Sequence, residues 1–204
     1  MVPDYRGARN EAFRILGTLD PALYPYHHRG HTFDDVLLAI KILAPKLGIY
    51  GEERRILDAG GELHDTGFVN KYWENEPNGV LIAKRILPKF GFSPGLMEAV
   101  NGIIMATHVP QAPLTLLQEA MCDADLYHLG TDKFWATGEA LLRERMIHQA
   151  EIPVKFHPPR ALKEWYRQQL EFLSGHQYFT KAARKLNDKG KKENIRKLEV
   201  LLRT

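Results

Sequence analysis

Apolar side chains recur at three- and four-residue intervals nearly throughout this chain, with few period-two alternations and no convincing hairpin signal. That spacing gathers side chains into one stripe of an α-helix but scatters them over both faces of a strand. An all-α protein is therefore expected. The first clear stripe runs Phe33, Val36, Leu37, Ile40, Leu43, Leu47. Thr32 and Asp35 read as a capping box at its start, Pro45 as an early end or bend, and Gly48 as the stop. A second helix over about 52–65 carries Ile56, Leu57 and Leu63 inward, and Gly60-Gly61 would let a neighbouring backbone approach closely.

Further helices are expected over about 78–87 and 94–108, the latter with Ser93 as N-cap, Pro94 in the first turn, and Val100, Ile104 and His108 on one face. Pro113 is expected to open a helix whose stripe is Leu114, Leu117, Met121, Ala124 and His128, with Asp125 on the same side as Met121. Two more, about 132–149 and 159–174, bring Phe134, Leu141, Leu142, Leu162, Trp165 and Leu170. A basic helix closes the chain.

With 204 residues, 44% hydrophobic and 26% charged, the composition is that of one globular domain with a sizeable core. The N-terminal residues lack a signal peptide's apolar stretch, and no run approaches the roughly 18 apolar residues that span a bilayer, so no membrane partner and a cytoplasmic location are expected. Cys122 is the single cysteine, a small buried side chain rather than a nucleophile. Charge is uneven. Residues 177–204 carry nine Lys or Arg against three Asp or Glu, which leaves the rest of this +3 chain at net −3. The organisation read from this is a helical domain over 1–176 and a basic helix over 177–204, packed on it or extending from it. No RNA-binding signature accompanies the basic helix, so a solvated face is favoured over a nucleic-acid partner.

Asp125 is the residue hardest to treat as scaffold, because a carboxylate on a buried stripe is costly without a partner. His64 and Asp65 are adjacent at an expected helix end before Thr66-Gly67, so both side chains can turn into one pocket. With His31 they form a two-histidine, two-carboxylate set, which suits manganese, iron, cobalt, nickel or zinc and leaves positions open for water.

His31, then His64-Asp65, then Asp125 resembles the H…HD…D signature of the HD-domain superfamily of metal-dependent phosphohydrolases. Glu62-Leu63-His64-Asp65-Thr66-Gly67-Phe68 resembles that family's central motif, Ala106-Thr107-His108 the next, and Cys122-Asp123-Ala124-Asp125-Leu126 the last, so that the similarity spans about 26–130. Tyr26-His27-His28-Arg29-Gly30-His31 also resembles the first motif of the cyclic nucleotide phosphodiesterases, in which the earlier histidine donates a proton. The tail over 178–202 resembles the C-terminal helix of small bacterial members.

The resemblance implies an HD-type bundle in which His31, His64, Asp65 and Asp125 bind one divalent ion (manganese, iron, cobalt, nickel, magnesium or zinc). Water activated by that ion would hydrolyse a phosphomonoester or phosphodiester of a small, nucleotide-like substrate. His27 is the candidate general acid, Asp65 both ligand and catalytic residue, and His108 a binder of phosphate or of a second ion. Arg29, Lys71 and Tyr72 are near these motifs but read as surface residues, and Glu62 as an orienter of water or an exposed helix residue. One departure stands out. Related small members carry a His-Glu pair where this chain reads Asn75-Glu76, which argues for a single tightly bound metal, with Glu76 favoured at a helix N-terminus by the macrodipole. Two other classes are open: a diiron oxygenase, as in some HD-domain relatives, and a non-catalytic binding module in which the metal is structural and the basic tail engages a partner.

Overall fold

The computed structural model describes residues 2–153, 159 and 161–203, and these are all-helical, with no strand among them. α1 (Tyr5–Leu16) is followed by α2 (Leu37–Leu43), α3 (Gly51–Leu63), α4 (Asn75–Ile86), α5 (Pro94–Ala106), α6 (Leu116–Asp125), α7 (Phe134–Ile147), α8 (Leu162–Gly175) and α9 (Lys181–Arg203). No helix among the described residues is long and apolar enough to cross a membrane.

α3 is the central element, packed against α1, α2, α5 and α6. Its two glycines make this possible. A Cβ on Gly60 would stand 2.3 Å from Ile103 of α5, and one on Gly61 would stand 2.8 Å from Ile40 of α2, so any larger residue must push a neighbour away. Leu57 and Leu63 of α3 join Ile40, Leu43, Ile82, Ile103, Ile104 and Met121 in the core between these helices.

Several expected boundaries move, each for a local reason. The capping box at Thr32 and Asp35 does not form: Gly30 is already helical, a π-helical segment His31–Val36 runs into α2, and Thr32 is buried inside it. Asp35 instead pairs with Lys133. Pro45 and Gly48 act as expected, Pro45 in a 3₁₀ turn Ala44–Leu47 and Gly48 left-handed at φ 72°. α4 starts at Asn75 rather than 78, because Pro77 fits its first turn and Glu74 turns the chain into it at φ 62°. Pro113 does not open α6. Thr115 caps it, accepting from Gln118 N at 3.3 Å, and Leu114 is 89% exposed rather than part of the stripe. α5 ends at Ala106, so His108 does not extend its buried face. Of the helix expected over 159–174, residue 160 lies outside the described residues, and α8 begins at Leu162.

One element, α1, is absent from the sequence reading, and the basic helix expected over 177–204 forms as α9. α1, capped by Asp4 through Gly7 N at 2.8 Å, buries Ala8, Ala12, Ile15 and Leu16; its first two inward residues are alanines, which leave a weak apolar stripe. α9 packs on the domain through Ala183, Asn187, Lys191, Asn194 and Leu198. Asn194 Nδ2 donates to Leu129 O at 3.0 Å and to Thr131 O at 3.1 Å. Gly190 meets Gly130 so closely that a Cβ on Gly190 would stand 1.9 Å from Gly130 O.

Candidate metal centre

The end of α3 positions two of the four residues. His64 is the C-cap that follows Leu63, the last residue of α3, and Asp65 comes next at φ −95°, ψ 0°, in the sparsely populated bridge between helical and extended backbone. Thr66 Oγ1 donates to Leu63 O at 2.7 Å and holds the exit turn. His31 arrives from the first turn of the π-helical segment, and Asp125 is the last residue of α6. The wider π turn is the local reason that His31 is placed inward beside α6.

The four side chains converge. His31 Nε2 is 3.2 Å from Asp125 Oδ1 and 3.6 Å from Asp65 Oδ2, while His64 Nε2 is 3.1 Å from Asp65 Oδ2 and 3.6 Å from Asp125 Oδ1. One ligand atom each from His31, His64 and Asp65 lies within 4.8 Å of the others, and all three residues are buried. His64 Nδ1 donates to Gly61 O at 2.8 Å, which fixes the tautomer and turns the Nε2 lone pair into the cluster. His64 Nε2 and Asp65 Oδ2 are buried 3.1 Å apart, yet neither is aligned as a hydrogen bond with the other or with another described group. A divalent cation satisfies both atoms at once, so the residues present fit a metal.

Electrostatics point the same way. Burial opposes charge on His64, but the Asp65 and Asp125 carboxylates more than offset it and hold its pKa well above the usual range. Burial likewise opposes charge on Asp65 and Asp125, and the facing imidazoles hold both carboxyls below theirs. A cation binding here therefore displaces protons.

His27 stands beside the quartet, its ring 6.1 Å from that of His31 and stacked on Phe68 at 4.1 Å. Its Nδ1 bonds Glu144 Oε1, and Glu144 Oε2 accepts from the backbone N–H groups of Tyr26 and His27 at 2.8 and 2.9 Å. Burial disfavours the charged ring, yet Glu144 outweighs it and raises the His27 pKa. Glu144, buried on α7, escaped the sequence reading, since one glutamate between two arginines looks like a solvated face. Tyr26 lies over His31 with ring centroids 4.6 Å apart.

A cavity of about 160 Å³ opens against His31 and Asp125, walled by Leu38, Ile42, His128 and the Lys133–Asp35 pair. Burial pushes the His128 imidazole down to about 4.

The other sequence candidates lie elsewhere. His108 has a 47% exposed side chain and pairs through Nδ1 with Glu76 Oε2 at 3.2 Å, not with the quartet. Asn75 is buried at the start of α4. Glu62 is buried rather than exposed and faces Arg9 of α1 at 3.6 Å, and burial raises its pKa to about 8. Lys71 pairs with Glu74, Arg29 lies over the Phe13 ring at 4.3 Å, and Tyr72 is buried against His148. In comparisons with known proteins, no family model, no curated protein and no solved structure matches this chain.

Proposed function

We propose that the protein is a metal-dependent phosphohydrolase of the HD-domain type, cleaving a phosphomonoester or phosphodiester of a small nucleotide-like substrate. The carrying observation is the convergence of His31, His64, Asp65 and Asp125, with His64 Nε2 and Asp65 Oδ2 buried 3.1 Å apart and not aligned as a hydrogen bond. These four residues hold the ion. When bound, it supplies Lewis acidity toward a phosphoryl oxygen and lowers the pKa of water.

The chain's own residues do the rest. Glu144 holds His27 by Nδ1 and raises its pKa, which favours a proton on Nε2 that a leaving oxygen can take. Phe68 and Tyr26 pack against His27 and keep water from its faces. Lys133 is the cation on the wall of the adjoining cavity, where it can meet phosphate by exchanging its bond to Asp35. Asn75 in place of a histidine, and Glu76 engaged with His108, favour one ion over two, and with it hydrolysis over diiron oxygen chemistry.

The test is phosphate or nitrophenol release from nucleotides and nitrophenyl phosphates, and formation of the nucleoside monophosphate from cyclic nucleotides. Chelated protein would be resupplied separately with manganese, cobalt, nickel, magnesium, iron and zinc, with Asp65→Ala as control. Metal-dependent turnover absent from the control supports the assignment. Turnover undiminished in Asp65→Ala removes it.

A further inference from the structure

α9 carries its packing residues and its lysines on opposite faces. Ala183, Asn187, Lys191, Asn194 and Leu198 face the domain, and Lys191 is spent there, donating to His176 O. Lys181, Lys185, Lys189 and Lys192 repeat that spacing with an offset of two residues. Two residues turn a helix by about 200°, so these lysines form one stripe on the outer face, all of them exposed, over about 16 Å. A merely solvated face sets acids three or four residues from its lysines and pairs with them. Here Glu193 pairs with Arg196 and Lys197 instead, and Asp188 is half-buried at the edge of the stripe. Among the described residues, none of the four stripe lysines forms an ion pair.

The stripe leads into a groove. Where α9 starts, a cavity of about 760 Å³ opens between this helix, the turn after α2 and the start of α6, roomy enough for a nucleotide unit. Lys46, Lys181, Arg184 and Lys185 line it against a single acid, Glu119. Among the described residues, none of these cations pairs with a carboxylate. Arg184 Nη1 donates to Tyr178 O and Phe179 O, both at 2.8 Å, which fixes the guanidinium at the rim and leaves its other N–H groups for a ligand. Half-buried Phe179 and exposed Leu116 supply an apolar wall. Lys181 and Lys185 belong to both features, so groove and stripe form one track.

Unpaired cations at regular helical spacing suit a polyanion with repeating phosphates. An anionic bilayer is the wrong polyanion. A helix that lies on a membrane inserts an apolar face, and the inward face of α9 is already packed on the domain. A duplex keeps its bases stacked, whereas a basic groove with an aromatic side chain receives an unstacked base. We infer that the outer face of α9 and the groove at its start bind single-stranded nucleic acid, whose phosphates follow Lys181, Lys185, Lys189 and Lys192 while one base enters the groove beside Phe179. Such binding draws on charge and stacking and needs no sequence signature. It is separate from the metal centre, none of whose four residues lines the groove.

The experiment is fluorescence anisotropy of labelled oligo(dT) and oligo(U) with the full chain in chelator, at several salt concentrations. A duplex of the same length and co-sedimentation with phosphatidylserine vesicles serve as comparisons. Saturable binding to at least one single strand is expected, tighter than to the duplex or the vesicles. With the six cations of the track on phosphates, log K should fall against log salt with a slope of about −4. The triple variant Lys185→Ala, Lys189→Ala, Lys192→Ala should weaken binding and make that slope shallower by about 2. Phe179→Leu, which keeps apolar bulk and removes the ring, should weaken binding about tenfold with the slope unchanged. Asp65→Ala should bind as the wild type does. Circular dichroism melting checks each variant, and should Phe179→Leu fail to fold, the triple variant of exposed lysines decides alone. No binding to either single strand overturns the inference, as does binding that the triple variant keeps in full. Tighter binding to the duplex or to the vesicles gives the face to another partner and overturns it. Binding lost in Asp65→Ala places the strand at the metal centre and equally overturns it.

Discussion

Asp123 and Asp125 are two residues apart on α6, yet one is anchored by backbone and the other by imidazoles. Asp123 accepts from Phe179 N at 2.7 Å and from Thr180 N at 2.8 Å, which fastens the chain segment entering α9 onto the domain. Asp125 faces His31 and His64. Burial raises both pKa values. The neutral N–H donors around Asp123 do not cancel that effect, and its carboxyl stays above the ordinary range. The imidazoles around Asp125 overcome it, and its carboxyl falls below, even though the C-terminal end of a helix disfavours negative charge. The same side chain in nearly the same place thus fits a structural seam or the proposed metal site according to whether its partners can carry charge.

Breaking the two aspartates separately should therefore give different phenotypes. Asp125→Ala should lower metal affinity and turnover by about a hundredfold or more, and should also lower the apoprotein's melting temperature, since it removes the carboxylate that faces the His31 and His64 imidazoles. Metal analysis after gel filtration, with phosphate release, reads this out, and full metal occupancy in the variant would remove Asp125 from the site. Asp123→Asn keeps the shape but aims an amide donor at a backbone donor. It should cost about 1.5–3 kcal/mol of folding stability, measured by urea unfolding, with metal content intact.

The pH dependence of stability sharpens the contrast between seam and centre. His176 has a folded pKa of about 4 against about 6.5 unfolded, so the unfolded chain binds more protons between these values. Stability from this residue is fully present above pH 6.5 and is lost as pH falls toward 4. His176→Phe should flatten that decline by about 1–3 kcal/mol between pH 7 and 4; an unchanged pH profile would show the ring to be solvated. The smallest effect is expected at the third buried carboxylate. Glu144→Gln keeps hydrogen bonding to Tyr26 and His27 but removes the charge that raises the His27 pKa, and should lower turnover about tenfold with metal retained. Loss of metal would instead make Glu144 part of the ion's support.

The contrast also separates what a sequence can display from what it cannot. The quartet was legible because few residue types ligate metals and each of the four is one of them. The seam was not. Its buried stripe on α9 is Ala183, Asn187, Lys191 and Asn194 before Leu198, with Gly190 supplying close approach, and a stripe of small and polar residues resembles a solvated face. Glu144 was hidden for the same reason. The expected capping box failed because the helix around His31 begins a turn earlier than Thr32 suggests, and no side chain announces a π-helical start. Gly60-Gly61 and Ser93 were readable because their consequences are local: a backbone approach and one hydrogen bond.

The contact between Gly130 and Gly190 sets a timetable for the newborn chain. Chains emerge from the ribosome with the N-terminal part first. His31, His64, Asp65 and Asp125 are thus all synthesised before the helix that braces α6 exists. α9 then packs beside them, its glycine closing on Gly130 five residues beyond Asp125. On the proposed assignment, ion uptake during synthesis should lag until that helix has emerged.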